Sequence, residues 1–296
     1  MSRFFIAIAA LLMSALTITP AVLAADSVPT RFEIEARRNA PDRVHLALRD
    51  DARHGFMTGS DFAYRELGLT PAKLSGDQPL RFALVREPGR MDCAGKAQRG
   101  RGTGTCRFIS NPAFNALLLR FGIKTPSERQ GLGLMFVGAS GSLVEALGRA
   151  RYPVPTIDQL TALAALDVTP AYISELSRRG YRPDRLDDLT AFKALDVSPA
   201  YVDGMTRAGF GRIPASQIIQ LKALGVSPDY VAGLRRAGYR TLRPDEVVQM
   251  KAMGITPEYV AGLRSRGIQL PVSKLIQYKA LGLSPRAIAE SRAASR

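Results

Sequence analysis

The stretch Asp196-Val197-Ser198-Pro199-Ala200-Tyr201-Val202 decides the fold, because the chain repeats it. The same grammar returns as Gly225-Val226-Ser227-Pro228-Asp229-Tyr230-Val231 and as Gly254-Ile255-Thr256-Pro257-Glu258-Tyr259-Val260. An earlier copy reads Asp167-Val168-Thr169-Pro170-Ala171-Tyr172-Ile173, and a last one Gly282-Leu283-Ser284-Pro285. The prolines stand at 170, 199, 228, 257 and 285, in steps of 29, 29, 29 and 28. A fixed period in this range means stacked supersecondary units.

Each unit spells two short helices. Ser or Thr before Pro supplies an N-cap and the favoured first helical residue. Tyr230, Val231 and Leu234 form one apolar stripe, and Tyr259, Val260 and Leu263 repeat it. Gly180, Gly209, Gly238 and Gly267 stand ten residues after their prolines, where a left-handed cap ends the helix. A second helix then runs to the next Ser/Thr-Pro, with stripes such as Leu189, Phe192, Leu195 and Ile218, Leu221, Leu224. Helices this short are marginal alone in water, so each unit must lean on its neighbours in one α-solenoid. Pro112 plus 29 is Gly141, and Gly141 plus 29 is Pro170, so the period reaches back to residue 112 through degenerate copies.

The N-terminal part reads differently. Residues 1–24 have the charged start, apolar run and small-residue exit of an export signal, with cleavage expected after Ala24. Arg31–Ala36, Val44–Leu48 and Arg81–Val85 alternate as strands do, and Met91–Ala97 with Thr103–Phe108 form the arms of a hairpin. Between the second and third strands lie a polar, Gly-bearing stretch and a short helix near Leu67–Pro71. The two cysteines, Cys93 and Cys106, face each other across the hairpin. A metal pair has too few ligands for a structural zinc site, and a redox pair lacks the C-x-x-C spacing. A structural disulfide is therefore expected, which suits an oxidising compartment. The fold class is α+β: a signal peptide at 1–24, a small antiparallel β-domain at 25–110, and an α-solenoid of about 29-residue helical hairpins at 111–296.

The chain carries 41 Lys and Arg against 26 Asp and Glu, a net charge of +15. A balance this basic favours anionic partners. The charge is also ordered. Lys193, Lys222, Lys251 and Lys279 each precede a repeat proline by six residues, and Arg178, Arg207 and Arg236 each follow one by eight. These columns are the candidate binding residues, as stripes on a solenoid, although a solvated face would look the same. A second basic cluster lies in the β-domain at Arg86, Arg90, Lys96, Arg99 and Arg101.

No catalytic signature stands out. The only histidines are His45 and His54, which excludes a zinc helix of the H-E-x-x-H type. No P-loop, EF-hand or dinucleotide fingerprint occurs, and no cofactor or metal is expected. A hydrolase would need one of the two histidines as its base.

The repeat resembles a known region, together with Arg81–Arg86, Cys93-Ala94-Gly95, Arg101-Gly102-Thr103-Gly104-Thr105 and Asn111-Pro112-Ala113-Phe114. It looks like the extracytoplasmic C-terminal region of membrane metallopeptidases related to the beta-lactam-sensing antirepressors of Gram-negative bacteria. The membrane helices and zinc helix of such proteins are missing here, so no catalytic residue carries over. The resemblance implies a free-standing, periplasmic or secreted sensor or interaction module, partnered by a protein or an anionic envelope component. Leu224–Leu234 is also similar to the helix-hairpin-helix motif that grips DNA phosphates. That motif places Gly-apolar-Gly in its hairpin. Here the second Gly is Ser227, and the first is Asp167 or Asp196 in two copies, which would repel phosphate.

Overall fold

The computed structural model describes residues 30–50 and 55–294. The export signal expected at 1–24 and His54 lie outside these residues. The architecture is α+β, an antiparallel sheet followed by a long run of helices.

Six strands form one sheet: β1 (Thr30–Ala36), β2 (Arg43–Asp50), β3 (Gly55–Ala63), β4 (Gln78–Arg86), β5 (Gly89–Gln98) and β6 (Arg101–Ser110). Their order is β3-β2-β1-β6-β5-β4 and every pairing is antiparallel. Two three-stranded meanders are thus joined through β1 and β6. Alternation sends Phe32 and Ile34 inward and Glu33 and Glu35 outward, as a half-buried strand requires. The sheet curls into a half-barrel, and glycine makes the curl possible. A Cβ on Gly102 would lie 2.5 Å from a Leu80 methyl, and one on Gly104 would lie 2.7 Å from the Phe32 ring.

Strand β3 was not expected. Its Gly-Phe-Met-Thr-Gly-Ser-Asp-Phe-Ala has little intrinsic strand preference, and pairing with β2 overrides that. The short helix expected near Leu67–Pro71 is instead a tight 3-10 turn at Tyr64–Leu67 and a single helical turn, α1 (Ala72–Ser75). This connection runs between the two sheet edges and buries Leu67, Leu69 and Leu74. Cys93 and Cys106 are directly opposed on β5 and β6, and they form the disulfide, with both side chains buried.

Thirteen helices follow: α2 (Pro112–Arg120), α3 (Glu128–Val137), α4 (Gly141–Arg149), α5 (Ile157–Ala165), α6 (Pro170–Arg178), α7 (Leu186–Ala194), α8 (Pro199–Met205), α9 (Ala215–Ala223), α10 (Pro228–Arg236), α11 (Pro244–Ala252), α12 (Pro257–Arg264), α13 (Val272–Ala280) and α14 (Pro285–Ala294). Thr169, Ser198, Ser227 and Thr256 cap α6, α8, α10 and α12 by accepting the third helical N–H, each with Pro in the first turn. Helices of both kinds end in a left-handed residue. After α6, Gly180 donates to Ser177 O and Tyr181 donates to Leu176 O, both at 3.0 Å. After α7, Asp196 donates to Lys193 O at 3.0 Å and Val197 donates to Phe192 O at 2.7 Å. This is the same two-bond cap. The second cap explains the Gly-or-Asp position that opens each repeat: Asp167, Asp196, Gly225, Gly254 and Gly282 all have φ between 53° and 72°.

The helices stack in two layers. The even-numbered helices α2 to α14 pack in succession, and the odd-numbered helices α3 to α13 do the same. At two steps of the even layer, α8 to α10 and α10 to α12, close approach relies on glycine facing the next unit's proline. A Cβ would lie 2.6 Å from Pro228 at Gly204, 2.7 Å from Pro257 at Gly233, and 3.4 Å from Pro285 at Gly262. One continuous core runs from Phe114 to Ile288. It thins toward the end: α5 buries Ile157, Leu160 and Leu163, whereas α13 buries only Leu275.

Helix α3 joins sheet and array. Its Leu132, Met135 and Phe136 belong to the sheet's core, and its Leu134 to the helical core. Phe136 meets Phe62 edge to face at 5.5 Å. The Arg86 guanidinium donates to the Met135 and Phe136 carbonyls at 2.9 and 2.8 Å, where positive charge suits a helix C-terminus. Next to it, the Glu87 carboxylate accepts the Gly141 N–H at the start of α4, at 2.7 Å. This bond explains why Gly141 stands where other repeats have Pro. Proline has no N–H to give Glu87, and a Cβ here would lie 3.1 Å from the carboxylate.

Two outcomes follow from these junctions. Gly141→Pro restores the repeat consensus, yet it should lower stability by about 1–2 kcal/mol, because an N-terminal cap of that size is lost. Denaturant unfolding measures it, and an unchanged midpoint would refute the role given to Glu87. Joint replacement of Cys93 and Cys106 by Ala should cost roughly 3 kcal/mol on the chain-entropy estimate. The sheet should melt earlier while α6 to α12 keep their circular dichroism signal.

Candidate functional site: the basic columns of the helical array

Each repeat tyrosine reaches across to the next unit. The Tyr172, Tyr201, Tyr230 and Tyr259 hydroxyls donate to the carbonyls of Val197, Val226, Ile255 and Leu283, at 2.7, 2.8, 2.5 and 2.7 Å. The accepting carbonyl belongs to the residue just after the left-handed cap, where no helix uses it. A second set links the same units in the other layer, from Tyr181 to Ile213 O at 3.1 Å and from Tyr239 to Leu270 O at 2.5 Å. Burial raises the Tyr181 and Tyr230 hydroxyls to about 12. It moves Tyr172, Tyr201 and Tyr259 in the same direction.

The lysine column lies on these rings. Lys193, Lys222, Lys251 and Lys279 hold their ammonium groups 5.2, 4.9, 4.8 and 4.7 Å from the ring centroids of Tyr172, Tyr201, Tyr230 and Tyr259. All four are half-buried. The column thus has a packing role: each cation covers the ring whose hydroxyl ties two units together, a contact worth about 0.5–2 kcal/mol.

The arginine column differs. Arg178 and Arg236 close α6 and α10, and Arg207 lies in the segment Thr206–Phe210 that follows α8 and is kinked at the left-handed Gly209. All three are exposed, and none forms an ion pair among the described residues. The row is longer than the clear repeats suggest. Arg120 and Arg149 hold the same position, eight residues after Pro112 and Gly141, and both are exposed. Sequence reasoning passed over them because their units lack the Tyr and Lys that mark the others: Leu143 replaces the tyrosine and Ala164 the lysine. Arg149 has one weak contact, 3.7 Å to Glu145. Between α4 and α6 an open groove lies on this row. Arg149 and Arg178 line it, with Ala146, Pro170, Ile173 and Ser174 among the other walls.

The β-domain cluster is largely committed elsewhere. Arg86 holds α3 and pairs with Glu66 at 3.0 Å, Arg90 pairs with Asp92 at 2.7 Å, and Arg101 pairs with Glu35 at 3.1 Å. His45 is tied down by Asp61, its Nδ1 2.7 Å from the Oδ1. The Arg37 guanidinium beside it holds the Asp61 carboxyl below its usual range. No group of three or more His, Cys, Asp or Glu gathers as a metal site among the described residues. No described single helix is long and apolar enough to cross a membrane. No family model, curated protein or solved structure matches this chain.

The tyrosine contacts set a pH dependence. A hydroxyl with a raised pKa favours the neutral folded form, so its contribution is complete below the ordinary value near 10 and is lost as pH rises through the folded value. The array should therefore stay helical at pH 10 and unfold cooperatively toward pH 12, with tyrosinate absorbance rising as helicity falls. Ionisation of all the tyrosines near pH 10 with helicity retained would contradict the buried hydroxyl–carbonyl ties.

Proposed function

We propose that the protein is an exported, non-enzymatic interaction scaffold or sensor module of the bacterial envelope, which binds an acidic partner through the exposed arginine column of its array. One observation carries the reading: of two ordered cationic columns, one is spent on tyrosine rings and the other is left to solvent. A column maintained for packing contacts its neighbours, as the lysines do. The arginines make no comparable contact. The leader-like N-terminus and the buried disulfide fit an oxidising compartment outside the cytoplasm. The resemblance to the extracytoplasmic region of antirepressor-type metallopeptidases supports a sensing or docking role without peptidase chemistry.

The nucleic-acid alternative loses support from the hairpins themselves. Gly225 N–H donates to Lys222 O, Val226 N–H to Leu221 O, and Tyr230 N–H to Ser227 Oγ. Three of the amides that a phosphate-gripping hairpin could present are thereby occupied in this unit.

The combined Arg178→Glu, Arg207→Glu and Arg236→Glu variant tests the proposal. Exposed substitutions move stability by about 0.5 kcal/mol or less each, so the melting temperature should barely change. Binding to polyglutamate, read by fluorescence anisotropy, should weaken at least tenfold and lose most of its salt dependence. Equal affinity and equal salt slope in the variant would overturn the assignment.

A further inference from the structure

The arginine row has a length, a spacing and an apolar floor, and together these describe a ligand. Arg120, Arg149, Arg178, Arg207 and Arg236 recur every 29 residues on five successive units of the even layer. Helices packed side by side stand about 8–10 Å apart. The row therefore presents one guanidinium roughly every 8–10 Å. It stops where Ser265 takes the next equivalent position. A cation in a helix's last turn complements the helix dipole, and lysine serves that purpose as well as arginine. All five positions are arginine, the residue that holds a carboxylate through two parallel hydrogen bonds.

We propose that the row binds an extended acidic peptide with an acidic side chain at every third residue and an apolar side chain seated in the groove between α4 and α6. This rests on the scaffold reading above and assigns its ligand. A chain in polyproline-II form brings every third side chain to one face, about 9 Å apart. That rise matches the spacing of packed helices. Self-repulsion keeps acidic chains extended, so little conformational freedom is lost on binding. The groove supplies the second element. Its floor is apolar, from Ala146, Ala150, Pro170, Ala171 and Ile173, and Arg149 and Arg178 both line it. A small acid or a nucleic-acid backbone offers nothing to cover that floor. In such a peptide the apolar side chain covers the floor while the carboxylates on either side of it meet the two arginines.

Three synthetic peptides of about twelve residues test this, each measured by anisotropy against the full chain. The first has Glu at every third position and a central Leu. The second has Ser for that Leu, and the third has the composition of the first with its acids bunched together. The first should bind roughly tenfold more tightly than either of the others. Ser174→Trp, or Ala171→Phe should the first variant fold poorly, fills the groove at an exposed position. Either variant should erase the advantage of Leu and leave the Ser peptide's affinity unchanged. Arg149→Glu with Arg178→Glu should weaken all three peptides. If neither Leu nor acid spacing matters while arginine reversal still weakens binding, this inference falls and the scaffold reading stands. If no arginine change affects any peptide, both fall. If duplex DNA displaces the first peptide at a lower concentration than the same peptide unlabelled, the ligand class assigned here is wrong.

Discussion

The helical array depends on one hydrogen bond made four times, from a tyrosine hydroxyl in one unit to a backbone carbonyl in the next. Helices of seven to ten residues do not persist alone in water, so what joins the units also sets their register. The bond needs a carbonyl that no helix consumes. The left-handed residue before it provides one by ending the preceding helix and turning the chain. It also needs a ring held in place, which the lysine above and the apolar core below provide. Tyr, Lys, Ser/Thr-Pro and the Gly-or-Asp position are thus parts of one device, and that accounts for their fixed spacing better than any of them does singly.

The sheet makes the other end of the core. Because α3 contributes side chains to both hydrophobic clusters, the first helical hairpins have the sheet as a neighbour where later ones have another hairpin. Their departures from the repeat follow from that neighbour. Gly141 replaces proline because Glu87 takes its N–H. Arg86, on the same β-turn, secures the end of α3. A capping unit in a solenoid must present a different outer surface from the units it terminates, and here a whole sheet does so.

The repeat, its helix boundaries and the disulfide were legible in the sequence, since each rests on short-range chemistry: a cap, a left-handed glycine, two cysteines opposed across a hairpin. What escaped depended on pairing at a distance. β3 is a strand because β2 lies beside it, and its glycines, Ser60 and Asp61 give no local sign of that. The lysines read as outward-facing because nothing in their spacing reveals a tyrosine ring some twenty residues earlier in the chain. Arg120 and Arg149 were hidden for a simpler reason. A column is sought where the repeat is clear, and their units had lost its markers.

The array is not equally firm along its length. Gly204 and Gly233 admit the following proline more closely than Gly262 does, the last step is one residue short, and α13 buries a single side chain. Thermal opening therefore starts in the loosely packed hairpins α12 to α14 and advances toward the sheet, as a zipper runs toward its stop. The arginine row ends at Arg236, ahead of this loosening. The weakest contacts thus lie beyond Arg236, and the guanidinium groups sit on the better-packed part of the array.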